Sequence, residues 1–173
     1  MRIFKKLYNL KLTKQEEIEI CTKVGADVLF NYYNKPAVVS GIGDCVEPFN
    51  ILKQYYVLLV KPRKGISTKE AYDNLNMDIC DHPDIEKLKN ALEYGLDITN
   101  LLGNSLEQPS ILLNEEISLV KKQLLQAKAD NALMSGSGST VFVISESQEK
   151  IEALAEVFKN SQYYVRITKT MSF

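Results

Sequence analysis

At 173 residues, 45% of them apolar and 25% charged, the chain can build one sizeable core, burying roughly 70% of its unfolded surface. A formal net charge of −1 supplies no basic field, so no nucleic-acid partner is expected. No apolar run approaches the roughly 20 residues of a membrane-spanning helix, so no membrane partner is expected either.

Met1, Phe4, Leu7 and Tyr8 repeat at helical spacing, with Arg2, Lys5 and Lys6 on the other side. No capping residue precedes this helix, so it is either a frayed first turn or one that originally had a segment in front of it. No apolar h-region or small-residue cleavage site follows Met1, so no signal peptide is expected. Thr13-Lys14-Gln15-Glu16 is a capping box opening a second helix. Ile18, Cys21 and Val24 mark its predicted buried face, and Gly25 its stop. Asp27 falls just past that end, where the helix dipole disfavours a carboxylate. It is therefore either an ordinary turn aspartate or one kept for acid–base or electrostatic work.

Pro36 to Ser40 reads as a strand and Gly41-Ile42-Gly43-Asp44 as its turn. Tyr55 to Val60 is continuously apolar, predicting a strand buried on both faces. Lys61, Arg63 and Lys64 form a basic loop suited either to solvent or to phosphate. Ser67 or Thr68 can cap a short helix on which Thr68 and Tyr72, four apart, share a face. A tyrosine beside a hydroxyl can stack on a flat ring and hydrogen-bond its edge, or simply pack half-buried in the core. Pro83 fits a helix first turn, with Ile85, Leu88 and Leu92 along one face, Gly95 closing it and a shorter helical turn from Asp97 to Leu102. Asn114 caps a helix whose Ile117, Val120 and Leu124 form an apolar stripe.

Cys21, Cys45 and Cys80 are odd in number and widely spaced, as for free thiols in a reducing, cytoplasmic setting. Cys80-Asp81-His82 cannot readily close around one ion, so no metal site is expected and His82 should flank a helix at the surface. One histidine supports no Ser-His-Asp or Cys-His pairing.

Ala132 to Val143 places two apolar runs around Ser135-Gly136-Ser137-Gly138-Ser139. The runs predict paired strands, and the small residues a tight loop. Glycine lets backbone N–H groups converge on an anion and serine adds donors, though a mobile hairpin would use the same residues. Ser145-Glu146-Ser147-Gln148 caps a last helix carrying Ile151, Leu154 and Phe158, and Tyr163 to Lys169 alternates as a half-buried strand. Helices grouped against a largely antiparallel sheet make an α+β fold.

Taken in order, Val24-Gly25-Ala26-Asp27-Val28, Gly41-Ile42-Gly43-Asp44, Val60-Lys61-Pro62, Gly65 to Tyr72, Asn104-Ser105-Leu106-Glu107 and Leu133 to Ser139 resemble one family. It is the 4-diphosphocytidyl-2-C-methyl-D-erythritol kinase family of the GHMP superfamily, a set of ATP- and Mg²⁺-dependent kinases of non-mevalonate isoprenoid biosynthesis. The resemblance implies a GHMP-kinase C-terminal, ferredoxin-like domain over 51–173 and a remnant of a ribosomal-protein-like N-terminal domain over 1–50. It implies that Asp27 polarises or deprotonates the attacking hydroxyl, that Thr68 and Tyr72 bind cytidine, and that Ser135, Gly136, Ser137, Gly138 and Ser139 line the phosphates.

The sequence also departs from the family. Its ATP-binding Gly-Gly-Gly-Ser-Ser-type motif and catalytic lysine belong to an N-terminal region not found here. Leu29 stands where proline is usual, and Asn34-Lys35-Pro36 replaces Gly-Gly-Thr. The chain alone is thus expected to be inactive and to expose an apolar face able to drive self-association. A homoserine or mevalonate-type kinase, and a non-catalytic binding module, stay open as alternatives.

Overall fold

The computed structural model describes residues 2–171 and, for its side chains, residues 3–171, so the expectation for Met1 lies outside the described residues. The chain divides into two compact units between Ile51 and Leu52.

The first unit begins with α1 (Arg2–Leu7), whose Phe4 and Leu7 are exposed, as is Tyr8 just beyond it. In α2 (Lys14–Val24) the capping box forms as predicted: Thr13 accepts from the Glu16 amide, and Glu16 accepts from the Thr13 amide. Its buried face is Glu17 and Cys21, whereas Val24 is 72% exposed, contrary to the helical spacing. Gly25 caps the helix, but in extended backbone (φ 165°) that needs no glycine. A third helix, α3 (Val28–Tyr33), starts immediately afterwards, with Asp27 at its N-cap position. The dipole argument therefore reverses, because a carboxylate at a helix start is favoured. The unit closes with a hairpin of β1 (Ala37–Ser40) and β2 (Cys45–Pro48), paired antiparallel from Ala37↔Pro48 to Ser40↔Cys45. The second of these strands was not predicted.

The second unit is an antiparallel sheet of β3 (Tyr56–Lys61), β4 (Leu133–Met134), β5 (Val141–Ser145) and β6 (Tyr164–Lys169), in the order β4-β5-β3-β6. On the core side Leu58 faces Val143 and Val60 faces Val141, all four essentially fully buried. Val57 and Leu59 on the opposite face are only half-buried, so β3 is not buried on both faces. β6 is an edge strand and mostly exposed.

Onto the core side pack α7 (Glu116–Gln126), through Ile117, Val120 and Leu124, and α8 (Gln148–Glu156), through Ile151 and Leu154, with Phe158 just beyond. Ile117, Val120, Leu124 and Ile151 are completely buried, each worth about 1.5–3 kcal/mol relative to exposure. Before them lie α4 (Thr68–Asp73), capped by Ser67; α5 (Ile85–Tyr94), capped by Asp84 and ended by Gly95 in left-handed backbone; and α6 (Glu107–Leu113). Pro83 thus precedes the α5 cap, Ile85 is 47% exposed, and Ala91 is the buried residue of that helix. Asp97 to Leu102 holds a turn and no helix.

α6 was missed because Leu106 at its N-cap offers no side-chain acceptor. Its Pro109 is tolerated in the first turn, where no intrahelical donor is lost. Among the described residues no helix is long and apolar enough to cross a membrane, and all three cysteines are free.

Candidate functional site

The small-residue segment forms the turn between β4 and β5. The Ser135 amide donates to the Thr140 carbonyl at 2.8 Å and the Gly138 amide to the Ser135 carbonyl at 3.0 Å. Gly138 has φ +94°, and a Cβ there would lie 2.7 Å from Met134 Sδ and 3.3 Å from Ile66 Cδ1. Only glycine fits that position. Gly136, at φ +57°, borders open space. Among the described residues the amides of Gly136 and Ser137 donate to no protein acceptor, leaving two adjacent N–H groups for an anion. Ser139 is 1% exposed, and its hydroxyl has no partner among the described residues.

Three side chains from one neighbouring stretch hold the loop. Asn104 Nδ2 donates to the carbonyls of Met134 and Gly136, each at 2.8 Å. Glu107, the first residue of α6, accepts from the Met134 amide at 2.7 Å and pairs with Lys121 of α7. Ser110, fully buried, donates to the Ser137 carbonyl at 3.2 Å. Asn104 is itself fixed from both sides: its amide donates to Asp81 Oδ2 at 3.1 Å, and its Oδ1 accepts from the Leu106 amide at 3.0 Å. Asn104-Ser105-Leu106-Glu107 was recognised only as a motif, Asp81 was weighed only as a metal ligand, and Ser110 was not singled out. About 30 residues separate Asn104 from its loop partners, and no local spacing encodes such a bond.

Thr68, on the first turn of α4, meets the loop directly, with its Oγ1 2.9 Å from Ser137 Oγ. Tyr72, one turn on, is 59% exposed rather than packed in the core. Of the basic loop, Arg63 bonds Gln162 and Lys64 donates to the Leu113 carbonyl at 2.9 Å, which caps the end of α6. His82 is exposed, with Nε2 2.9 Å from the Met77 carbonyl.

Asp27 belongs to the first unit. Its carboxylate is exposed and makes no capping bond, while its carbonyl accepts from Asn31 Nδ2 at 2.8 Å. The β1–β2 turn packs against the segment before it: Gly43, at φ +93°, lies so close to Ala26 that a Cβ would overlap the Ala26 carbonyl. In the same unit Glu17 pairs with Lys5 and accepts from the Tyr32 hydroxyl at 2.6 Å. The Lys5 hydrogen bond, then that of Tyr32, hold the Glu17 carboxyl below its usual range. Glu17 in turn pushes the Lys5 ammonium up.

The family model described as GHMP kinases C terminal matches residues 78–165, about half of the chain and all within the second unit. Among curated proteins the chain is similar to the 4-diphosphocytidyl-2-C-methyl-D-erythritol kinase of Enterococcus faecalis, with 34% identity over 99% of this chain and 61% of that protein. It is likewise similar to the kinase of that name from Carboxydothermus hydrogenoformans, with 42% identity over 86% of this chain and 53% of that protein. The chain thus spans little more than half the length of the curated relatives it matches.

Among solved structures, a 4-(cytidine 5'-diphospho)-2C-methyl-D-erythritol kinase shares the fold, with a TM-score of 0.76 at 23% identity over 96% of this chain and 60% of that one. The Streptococcus pneumoniae phosphomevalonate kinase shares it more loosely, with a TM-score of 0.60 at 14% identity over 98% of this chain and 66% of that one. With the antiparallel sheet, the clamped glycine turn and the matched family model together, the chain belongs to the GHMP kinases and carries their C-terminal domain.

Proposed function

We propose that this chain is the larger part of a 4-diphosphocytidyl-2-C-methyl-D-erythritol kinase, which transfers the terminal phosphoryl group of ATP to a hydroxyl of that cytidine-diphosphate-linked substrate. The observation that carries the reading is the contact of Thr68 with Ser137. It brings the segment proposed to bind cytidine against the loop proposed to line the phosphates. In this reading residues 1–50 are a remnant of the N-terminal domain and 51–173 the C-terminal domain.

The residues present suit a nucleotide's phosphate: two unengaged amides at Gly136 and Ser137 and the orphan hydroxyl of Ser139 all belong to one loop. Phosphoryl transfer asks mainly for positioning and charge stabilisation, which fixed amides supply without reorganisation. Tyr72 would stack on cytosine and Thr68 orient it. Asp27, whose carboxylate is not engaged in capping α3, would accept the proton of the attacking hydroxyl. Among the described residues no three His, Cys, Asp or Glu side chains gather as a metal site. Mg²⁺ would therefore enter with the nucleotide's phosphates. The setting is cytoplasmic, and the exposed Ile3, Phe4, Leu7 and Tyr8 of the first unit support self-association.

Calorimetry with cytidine diphosphate tests the reading. Tyr72→Ala should weaken binding about tenfold, since stacking on one base is worth about 1–3 kcal/mol, while Tyr72→Phe should bind as wild type. Equal binding by wild type and Tyr72→Ala would remove the cytidine role and favour a homoserine or mevalonate-type substrate. The chain alone should turn over little, given its share of the relatives' length. Robust ATP-dependent phosphorylation by the purified chain, abolished in Asp27→Ala, would overturn that expectation.

A further inference from the structure

A cavity of about 360 Å³ opens at the other end of β5 from the glycine loop. Thr140 bonds the loop, while Ser145 lines the cavity, so the strand sets them about 14 Å or more apart. Tyr55, Ile98 and Ile144 form its apolar wall, and Asp97, Glu146 and Lys150 stand among its polar groups. Tyr55 is 4% exposed, yet its hydroxyl has no hydrogen-bond partner among the described residues. A buried hydroxyl left without a partner is costly, so a ligand that engages it is favoured.

The charges at the cavity say which ligand. Glu146 is paired with Lys53 at 2.7 Å, and Asp130 with Lys150 at 2.6 Å. Asp97 is the carboxylate left over. It accepts from the Thr99 amide at 2.9 Å and makes no ion pair among the described residues, with Lys53 acting on it only at longer range. The charges of Glu146, Lys53 and Asp97 all act on the Tyr55 hydroxyl, which places that hydroxyl close to the same set of groups. Burial keeps the phenol neutral, and the Thr99 hydrogen bonds keep Asp97 ionised. Three carboxylates against two lysines leave the site with an excess of negative charge, which favours a cation over an anion or a neutral alcohol.

We propose that this cavity binds a small primary alkylammonium ion, with Asp97 and Tyr55 as its polar contacts and Ile98 and Ile144 against its alkyl chain. The site is independent of the phosphoryl-transfer reading and stands or falls without it.

Titration of the chain with butylammonium chloride, followed by amide NMR, tests the proposal, with butanol and sodium butyrate as probes of the same size. Saturable shifts confined to residues 97–99 and 144–150 are expected for the ammonium and for neither other probe. Asp97→Asn and Tyr55→Phe, which preserve shape and packing, should each weaken binding about tenfold. Absence of saturable shifts up to roughly 50 mM, equal binding of butanol or butyrate, or unchanged affinity in both variants would each overturn it.

Discussion

Asn104 holds Gly136 in place: its Nδ2 reaches the Gly136 carbonyl at 2.8 Å while also bonding the Met134 carbonyl at 2.8 Å. One amide group thereby spans the start of the turn and its exposed tip, and no water is needed to fix either carbonyl. Asn104→Ala removes both donations together with the acceptor for the Leu106 amide, and should cost about 2 kcal/mol in urea unfolding. Asn104→Asp should cost as much, because a carboxylate cannot donate to a carbonyl. Amide exchange at 135–140 should accelerate in both variants. Wild-type exchange in Asn104→Asp would mean that the loop is held by other contacts.

Two glycines should respond in opposite ways. Gly43 combines φ +93° with a Cβ position inside the Ala26 carbonyl, so Gly43→Ala must shift the hairpin turn off the segment leading into Asp27. A loss of about 1–3 kcal/mol is expected in thermal unfolding. A Cβ at Gly65 meets nothing within 4 Å. Gly65→Ala should leave stability unchanged or raise it by about 0.4–1 kcal/mol, by restricting the unfolded chain. Equal effects at the two positions would show that the close approach of Gly43 to Ala26 is not maintained in solution.

Features written into adjacent residues were legible in the sequence. The Thr13–Glu16 box and the Ile117, Val120, Leu124 stripe formed as read, and of the candidate caps Ser67 and Ser147 took the positions. What failed lacked a local signal or had a misleading one. β2 has no buried residue and owes its existence to pairing with β1. Val24 and Ile85 keep helical spacing yet lie outside, because periodicity names a face and not what covers it. Asp27 was placed after one helix when it also precedes another, which reversed its electrostatics. At the glycine turn the loop itself was readable. Its clamp was not, since Asn104, Glu107 and Ser110 reach it across roughly 30 residues of sequence.

The first unit should carry an acid-sensitive element. Lys5 and Tyr32 hold the Glu17 carboxyl below its ordinary value of 4.5, so the folded state binds that proton less readily than the unfolded chain does. The stabilisation is therefore complete above the ordinary value and is lost as pH falls through the lowered one. Amide protection in α2 should drop selectively over that acid range. Glu17→Gln should be less protected at neutral pH and should flatten the acid response. An acid profile identical to wild type would assign the effect to other carboxylates.

Ser139 is the loop residue for which stability and function should part. Its hydroxyl is buried without a partner among the described residues, so Ser139→Ala removes a polar atom that the fold does not use. In the free protein the variant should be as stable as wild type, or more stable by about 1 kcal/mol, in urea unfolding. If the loop lines a phosphate and the Ser139 hydroxyl is one of its donors, as proposed, the same variant should weaken inorganic phosphate or nucleotide binding several-fold. Loss of stability without ligand would place a structural bond on that hydroxyl. Unchanged stability with unchanged phosphate binding would leave Gly136 and Ser137 as the only anion donors of the turn.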